Sequence, residues 1–192
     1  MMNPSMTWVG ADPGGTNNFG VAVLREDGTY NTQCVSCAEE AIIWMNEFGC
    51  PNGVGIDCPL WWSSGRGGGR KADQWLRDQG IPPGTVQSAN SLRGAVLMQG
   101  IMFAVRLREH HQGVPITEAH PKALLRFLGL SRGPDKWAEV QKAFHLEGNV
   151  PSDHERDAVL AAVAAREGMS GAWSRDLSVD RYESVEADPK RM

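Results

Sequence analysis

The 192-residue chain lacks any apolar run approaching the ~18 to 20 residues of a membrane span. Its opening stretch, MMNPSMTWVG, has neither the basic segment nor the apolar segment of a secretory leader. A soluble, cytoplasmic protein without a membrane partner is therefore expected. Cysteine is sparse. Cys34, Cys37, Cys50 and Cys58 do not read as a disulfide framework in a cytosolic-looking chain of this size. Cys34-x-x-Cys37 is followed by no second CxxC and no paired HxxxH, so a zinc site would lack ligands, and a thioredoxin-like motif would sit in a different context. No internal repeat occurs.

What is present fits one domain with its own core: 41% hydrophobic and 22% charged residues, with 22 glycines and 11 prolines. That balance excludes a disordered or collagen-like chain. The net charge of −4 is unevenly spread. Trp61 to Lys136 carries 11 Lys and Arg against 5 Asp and Glu, which leaves the flanks strongly acidic. A basic middle could face phosphates, or could be a solvated face with no partner.

Alternation predicts three strands joined by tight turns, Trp8 to Asp12, Phe19 to Leu24 and Tyr30 to Ser36, as an antiparallel meander. Helical spacing follows over Ala38 to Phe48, then a buried-type strand at Val54 to Asp57. The stretch SSGRGGGRK, Ser63 to Lys71, cannot hold a regular element and reads as a mobile basic loop. A long helix over Ser91 to Glu109, a strand over Val114 to Ala119 and helices over Lys122 to Leu128 and Asp135 to His145 come next. Ser152 and Glu155 form a capping-box pattern ahead of an alanine-rich helix to Arg166. Residues 1 to 172 are expected as one domain and 173 to 192 as a polar tail. The order of elements gives an α/β fold, a mixed sheet flanked by helices.

Asp12, Asp57 and Glu118 each fall at the carboxyl end of a predicted strand, the edge where open α/β sheets bind ligands, and a hard cation would satisfy all three. Asp157 shares a helix stripe with Leu160, Ala161 and Ala164 and so points inward; Asp153 lies one turn earlier. Either could instead complement the helix dipole, a reading that suits Asp153 better than Asp157. Arg66, Arg70 and Lys71 could grip a phosphate backbone. Trp61 and Trp62 could stack on a base or merely pack as a lid. His120 could assist proton transfer, hold a phosphate, or be a structural hydrogen-bonder. His110 and His111 read as a solvated helix end.

GADPGGTNNFGVAVL resembles the first hairpin of RNase H-fold nucleases and resolvases, and HERDAVLAAVAA resembles the last helix of Holliday-junction resolvases of that fold. With IDCP at Ile56 to Pro59 and EAHPKALLRFLG at Glu118 to Gly129, the chain is similar, over roughly Trp8 to Arg166, to domain-of-unknown-function family 429, predicted RNase H-like nucleases. The resemblance implies an RNase H-like five-stranded mixed sheet, three antiparallel strands then two parallel, with the first strand beside the fourth and the fourth beside the fifth. It implies Asp12, Asp57, Glu118 and Asp157 as catalytic acids, with Asp153 near the same metal site. Two Mg²⁺ or Mn²⁺ ions about 3.5 to 4 Å apart would activate water and stabilise the leaving oxygen of a phosphodiester. DNA or RNA is the implied partner, and resolvases of this fold act as homodimers.

Asp12-Pro13-Gly14-Gly15-Thr16-Asn17 also resembles the first phosphate loop of sugar kinases and other actin-like ATPases, with Gly14 and Gly15 offering backbone N–H groups to substrate. Those enzymes need two such lobes, and no second DxGGT occurs. A single-lobe nucleotide binder and a non-catalytic nucleic-acid-binding domain are the alternatives.

Overall fold

A computed structural model of the chain describes residues 6–61, 70–82, 84–87, 92–130 and 136–171. Strands β1 (Thr7–Asp12), β2 (Phe19–Arg25), β3 (Tyr30–Val35), β4 (Gly53–Ile56) and β5 (Ile116–Glu118) form one sheet in the order β3-β2-β1-β4-β5. β1 with β2 and β2 with β3 are antiparallel, whereas β1 with β4 and β4 with β5 are parallel. Helices α1 (Ala38–Asn46), α2 (Lys71–Asp78), α3 (Gly94–His110), α4 (Pro121–Phe127), α5 (Trp137–Phe144) and α6 (Asp153–Met169) complete the α/β fold, with the mixed sheet expected from the sequence.

Alternation along the strands divides the core in two. Val9, Ala11, Val21, Val23, Val54 and Ile56 pack with Ile42 and Met45 of α1 and with Phe103 and Leu107 of α3. Trp8, Ala22 and Leu24 turn the other way, onto Val159, Ala162 and Val163 of α6. That second face also carries Gly20, Gly10 and Gly55 on three adjacent strands. A Cβ at these positions would overlap the backbone of His154, Ala158 and Ala161, respectively, so the glycines let α6 lie almost backbone to backbone on the sheet. The alanines of α6 permit the same approach from the helix side, and residues 155 to 165 are all buried.

Ser152 caps α6, accepting from Glu155 N at 3.2 Å. The reciprocal half of a capping box is replaced: the Glu155 carboxylate accepts from Thr32 Oγ1 of β3 at 2.9 Å and from Ser152 Oγ at 2.7 Å. The cap thereby ties the helix start to the sheet.

The boundaries differ from expectation in places. Lys71, expected at the end of a glycine loop, opens α2, while residues 63 to 69 of that loop lie outside the described residues. So do Ser91, expected to begin α3, Asp135, expected to begin α5, and the tail from 173. β5 is shorter than predicted because Pro115 has no N–H to give the ladder, although its carbonyl still accepts from Val54 N at 2.9 Å.

Candidate carboxylate site at the sheet edge

The parallel register sets Ala11 level with Ile56, and Ile56 level with Glu118. Asp57 N donates to Ala11 O at 2.8 Å, which continues the ladder by one residue. Asp12 therefore stands beside Asp57 on strands about 4.8 Å apart. Since Ala11 and Ile56 face α3, alternation directs the next residues, Asp12 and Asp57, to the α6 face. For Asp12 this is seen directly: its Oδ2 lies 2.6 Å from His154 Nδ1, in the first turn of α6. The Asp12 side chain retains 13% exposure and that of His154 retains 41%, so the pair sits at the mouth of the edge rather than in the core.

Asp157 comes from the same helix and is buried, at 4% exposure. Ala161, one turn later, lies over Gly55. Asp157 precedes Ala158, which lies over Gly10 as Ala161 lies over Gly55, so it sits where α6 crosses β1 and β4. The stripe that predicted its inward direction is buried as expected. Asp153 has another role: it is mostly exposed and ion-paired to Arg156 in the first turn, where a carboxylate complements the helix dipole.

Glu118 does not join the other carboxylates. It is level with Ile56 rather than with Asp57, and residues level in adjacent parallel strands share a face, so Glu118 points toward α3. There Leu60 N and Arg70 Nη1, the latter at 2.6 Å, donate to its Oε1. Burial pushes its carboxyl above the usual range, and Arg70 opposes that shift.

Arg70, expected to grip phosphate from a mobile loop, is one of the largest fully buried side chains. Its Nε and Nη2 bond the two oxygens of buried Asp73 at 2.9 and 2.6 Å, and its guanidinium stacks 4.7 Å from the Trp61 ring centre. Trp61 accordingly packs, as in the lid reading. His120 precedes α4 beside this cluster. Desolvation, with Arg70 adding to it, pushes its imidazole down to about 4, so at neutral pH it is a neutral hydrogen-bonding group and not a phosphate-gripping cation. Arg70, Asp73 and Glu118 form a buried clamp between α2 and the end of β5. Arg66 and Trp62 lie outside the described residues, and Lys71 is half-buried at the start of α2.

In the β1–β2 turn a Cβ on Gly14 would overlap the Asn18 backbone, so the turn itself requires glycine there, whereas Gly15 faces open space. All four cysteines are free. Burial pushes the Cys34 thiol up and that of Cys58 up to about 12, so both stay protonated at neutral pH.

Sequence reasoning passed over His154. The available signal was its place three residues before Asp157 in the first turn of the helix, one face with two possible site groups. Asp12, Asp57 and Asp157 offer hard carboxylate oxygens, the donor chemistry a divalent cation takes. Among the described residues no three His, Cys, Asp or Glu side chains already converge on one point as a metal-holding group.

No protein-family model matches the chain, and no curated protein matches it significantly. Among the described residues no helix is long and apolar enough to cross a membrane.

Proposed function

We propose that the protein is a divalent-metal-dependent nuclease of the RNase H-like kind, hydrolysing phosphodiester bonds in DNA or RNA, and related to domain-of-unknown-function family 429. The observation that carries the reading is the placement of Asp12 and Asp57 at the carboxyl edge of adjacent parallel strands, under a helix that rests on Gly10 and Gly55 and carries the buried Asp157. A buried acid such as Asp157 is costly in a core and useful beside a cation.

In this reading Asp12, Asp57 and Asp157 hold Mg²⁺ or Mn²⁺, as one ion or two. The metal supplies an acidified water and neutralises charge on the phosphate. The chain's own residues do the rest. His154 holds one oxygen of Asp12 and fixes the direction of the other, as outer partners of metal ligands do. Gly15, open to solvent at the adjacent turn, leaves its backbone approachable by a phosphate. Glu118 and Arg70 serve by bracing the edge through α2.

The test is cleavage of branched, single-stranded and duplex DNA and RNA by purified protein with Mg²⁺ or Mn²⁺. Asp12→Asn and Asp157→Asn should abolish cleavage while far-UV circular dichroism stays unchanged. His154→Ala, which removes a positioning bond rather than a ligand, should weaken metal affinity by about 10- to 100-fold. Cleavage that persists in both aspartate variants would overturn the proposal.

A further inference from the structure

Among the described residues, Phe127 is the one aromatic side chain among the large apolar groups left exposed; it is 50% exposed, and Leu128 beside it 48%. The ring is braced. Phe127 lies one turn after Ala123, which packs with Leu76 of α2, and across that contact it stacks on Trp75 of α2, with 5.9 Å between ring centres and 21° between planes. Trp75 therefore fixes one side of the Phe127 ring while the rest of its surface meets water, an arrangement that costs free energy unless something covers it.

Two cations flank the ring. Lys122 and Arg126 are four residues apart on α4 and so share one stripe; both are exposed and, among the described residues, neither is ion-paired. Exposed cations elsewhere do pair: Arg106 with Glu39 and Glu109, and Lys136 with Glu139. Arg126 leans over the end of α2, where its Nη2 lies 3.7 Å from the place a Cβ on Gly80 would take. α4 carries no acid. Of the acids on α2, Asp73 is held by Arg70 and Asp78 accepts from Gln74 at 2.7 Å. We propose that Trp75, Phe127, Lys122 and Arg126 form a platform for single-stranded nucleic acid, with a base stacked on Phe127 and the two cations on its phosphates.

The size and charge of the patch select this occupant. One base covers one ring, whereas a stable protein interface takes about 800 Å² from each partner. A helix resting on lipid buries a continuous apolar face along its length, and in α4 Pro121, Ala123 and Leu125 are already buried within the protein. The phosphates of a strand complement the two unpaired cations, and an unpaired strand is preferred because a duplex offers base faces only at its ends. Both helices spring from the carboxyl end of β5: Arg70, just before α2, bonds Glu118, and α4 opens three residues after Glu118. The platform thus belongs to the same end of the sheet as Asp12 and Asp57, and it names an unpaired strand as the substrate class. That link to cleavage rests on the nuclease reading; the binding itself needs no metal.

Fluorescence anisotropy of a labelled oligothymidylate with the full chain, in EDTA so that no metal-dependent hydrolysis intervenes, tests the platform. The strand should bind more tightly than a duplex of the same length. Phe127→Leu keeps an apolar side chain but removes the ring, and should weaken binding by about 5- to 150-fold; Phe127→Tyr should bind like the wild type. Lys122→Ala and Arg126→Ala should each lower the slope of log affinity against log salt by about 0.7. All these side chains are exposed, so circular dichroism should not change. Absence of binding at low salt, equal affinity for duplex, or wild-type affinity in Phe127→Leu would overturn the proposal. The two readings fail separately: a chain that binds in this way but cleaves nothing in Mn²⁺ keeps the platform and loses the nuclease, whereas one that cleaves single strands with unchanged KM in Phe127→Leu keeps the nuclease and loses the platform.

Discussion

On the face toward α6 the strands carry glycine where the helix crosses, and backbone meets backbone; on the face toward α1 and α3 they carry valine and isoleucine, and the helices stand off on side chains. The carboxylates at the common edge follow this division. Glu118, on the α3 side, is enclosed and held by a buried arginine that also serves Asp73. Asp12, on the α6 side, stays at the mouth of the edge against a histidine that is itself open to water. Three strand ends that look equivalent in sequence thus yield two kinds of acid. One is a brace held inside the protein by Arg70, and Asp12 is a carboxylate bonded to His154 at the sheet edge.

The largest expected effect comes from breaking the braced side. Arg70→Ala leaves Asp73 and Glu118 buried without their cation, and removing one partner of a buried ionic cluster costs about 3 to 5 kcal/mol. Urea denaturation should show that loss as a lower midpoint with little change in slope. A loss below about 1 kcal/mol would mean that the clamp is far better hydrated than its burial indicates.

A smaller effect concerns His120, beside the same clamp. Unfolded, its imidazole takes up a proton near the ordinary value of 6.5; folded, only near 4. The contribution is complete above pH 6.5 and is lost as pH falls from 6.5 to about 4, with a slope of at most about 1.4 kcal/mol per pH unit. His120→Asn keeps a residue suited to the helix start and should flatten the thermal midpoint across that window. An unchanged slope would show that other groups set the acid limb.

Much of this division was legible in the sequence. The meander and α6 carry strong periodic patterns, and Asp12 and Asp157 could be placed from a strand end and a helix stripe alone. The face of Glu118 could not. It depends on whether β5 sets Glu118 level with Ile56 or with Asp57, and a one-residue change of register moves a side chain through the sheet. α2 was hidden for a related reason. It has eight residues, follows a glycine-rich run, and is anchored by Arg70 and Asp73, charged residues that composition assigns to solvent. His154 escaped notice because it lies between residues of a capping motif, where its neighbours already had an explanation.

The central claim is that the acids on the α6 side form a cation site and the acid on the α3 side does not. Crystals soaked in Mn²⁺ and measured at the manganese absorption edge test it directly. The account predicts anomalous density touching Asp12 and Asp57, with Asp157 turned toward it and Glu118 still bonded to Arg70. Density at Glu118, or none beside Asp12 and Asp57 at saturating Mn²⁺, would contradict it.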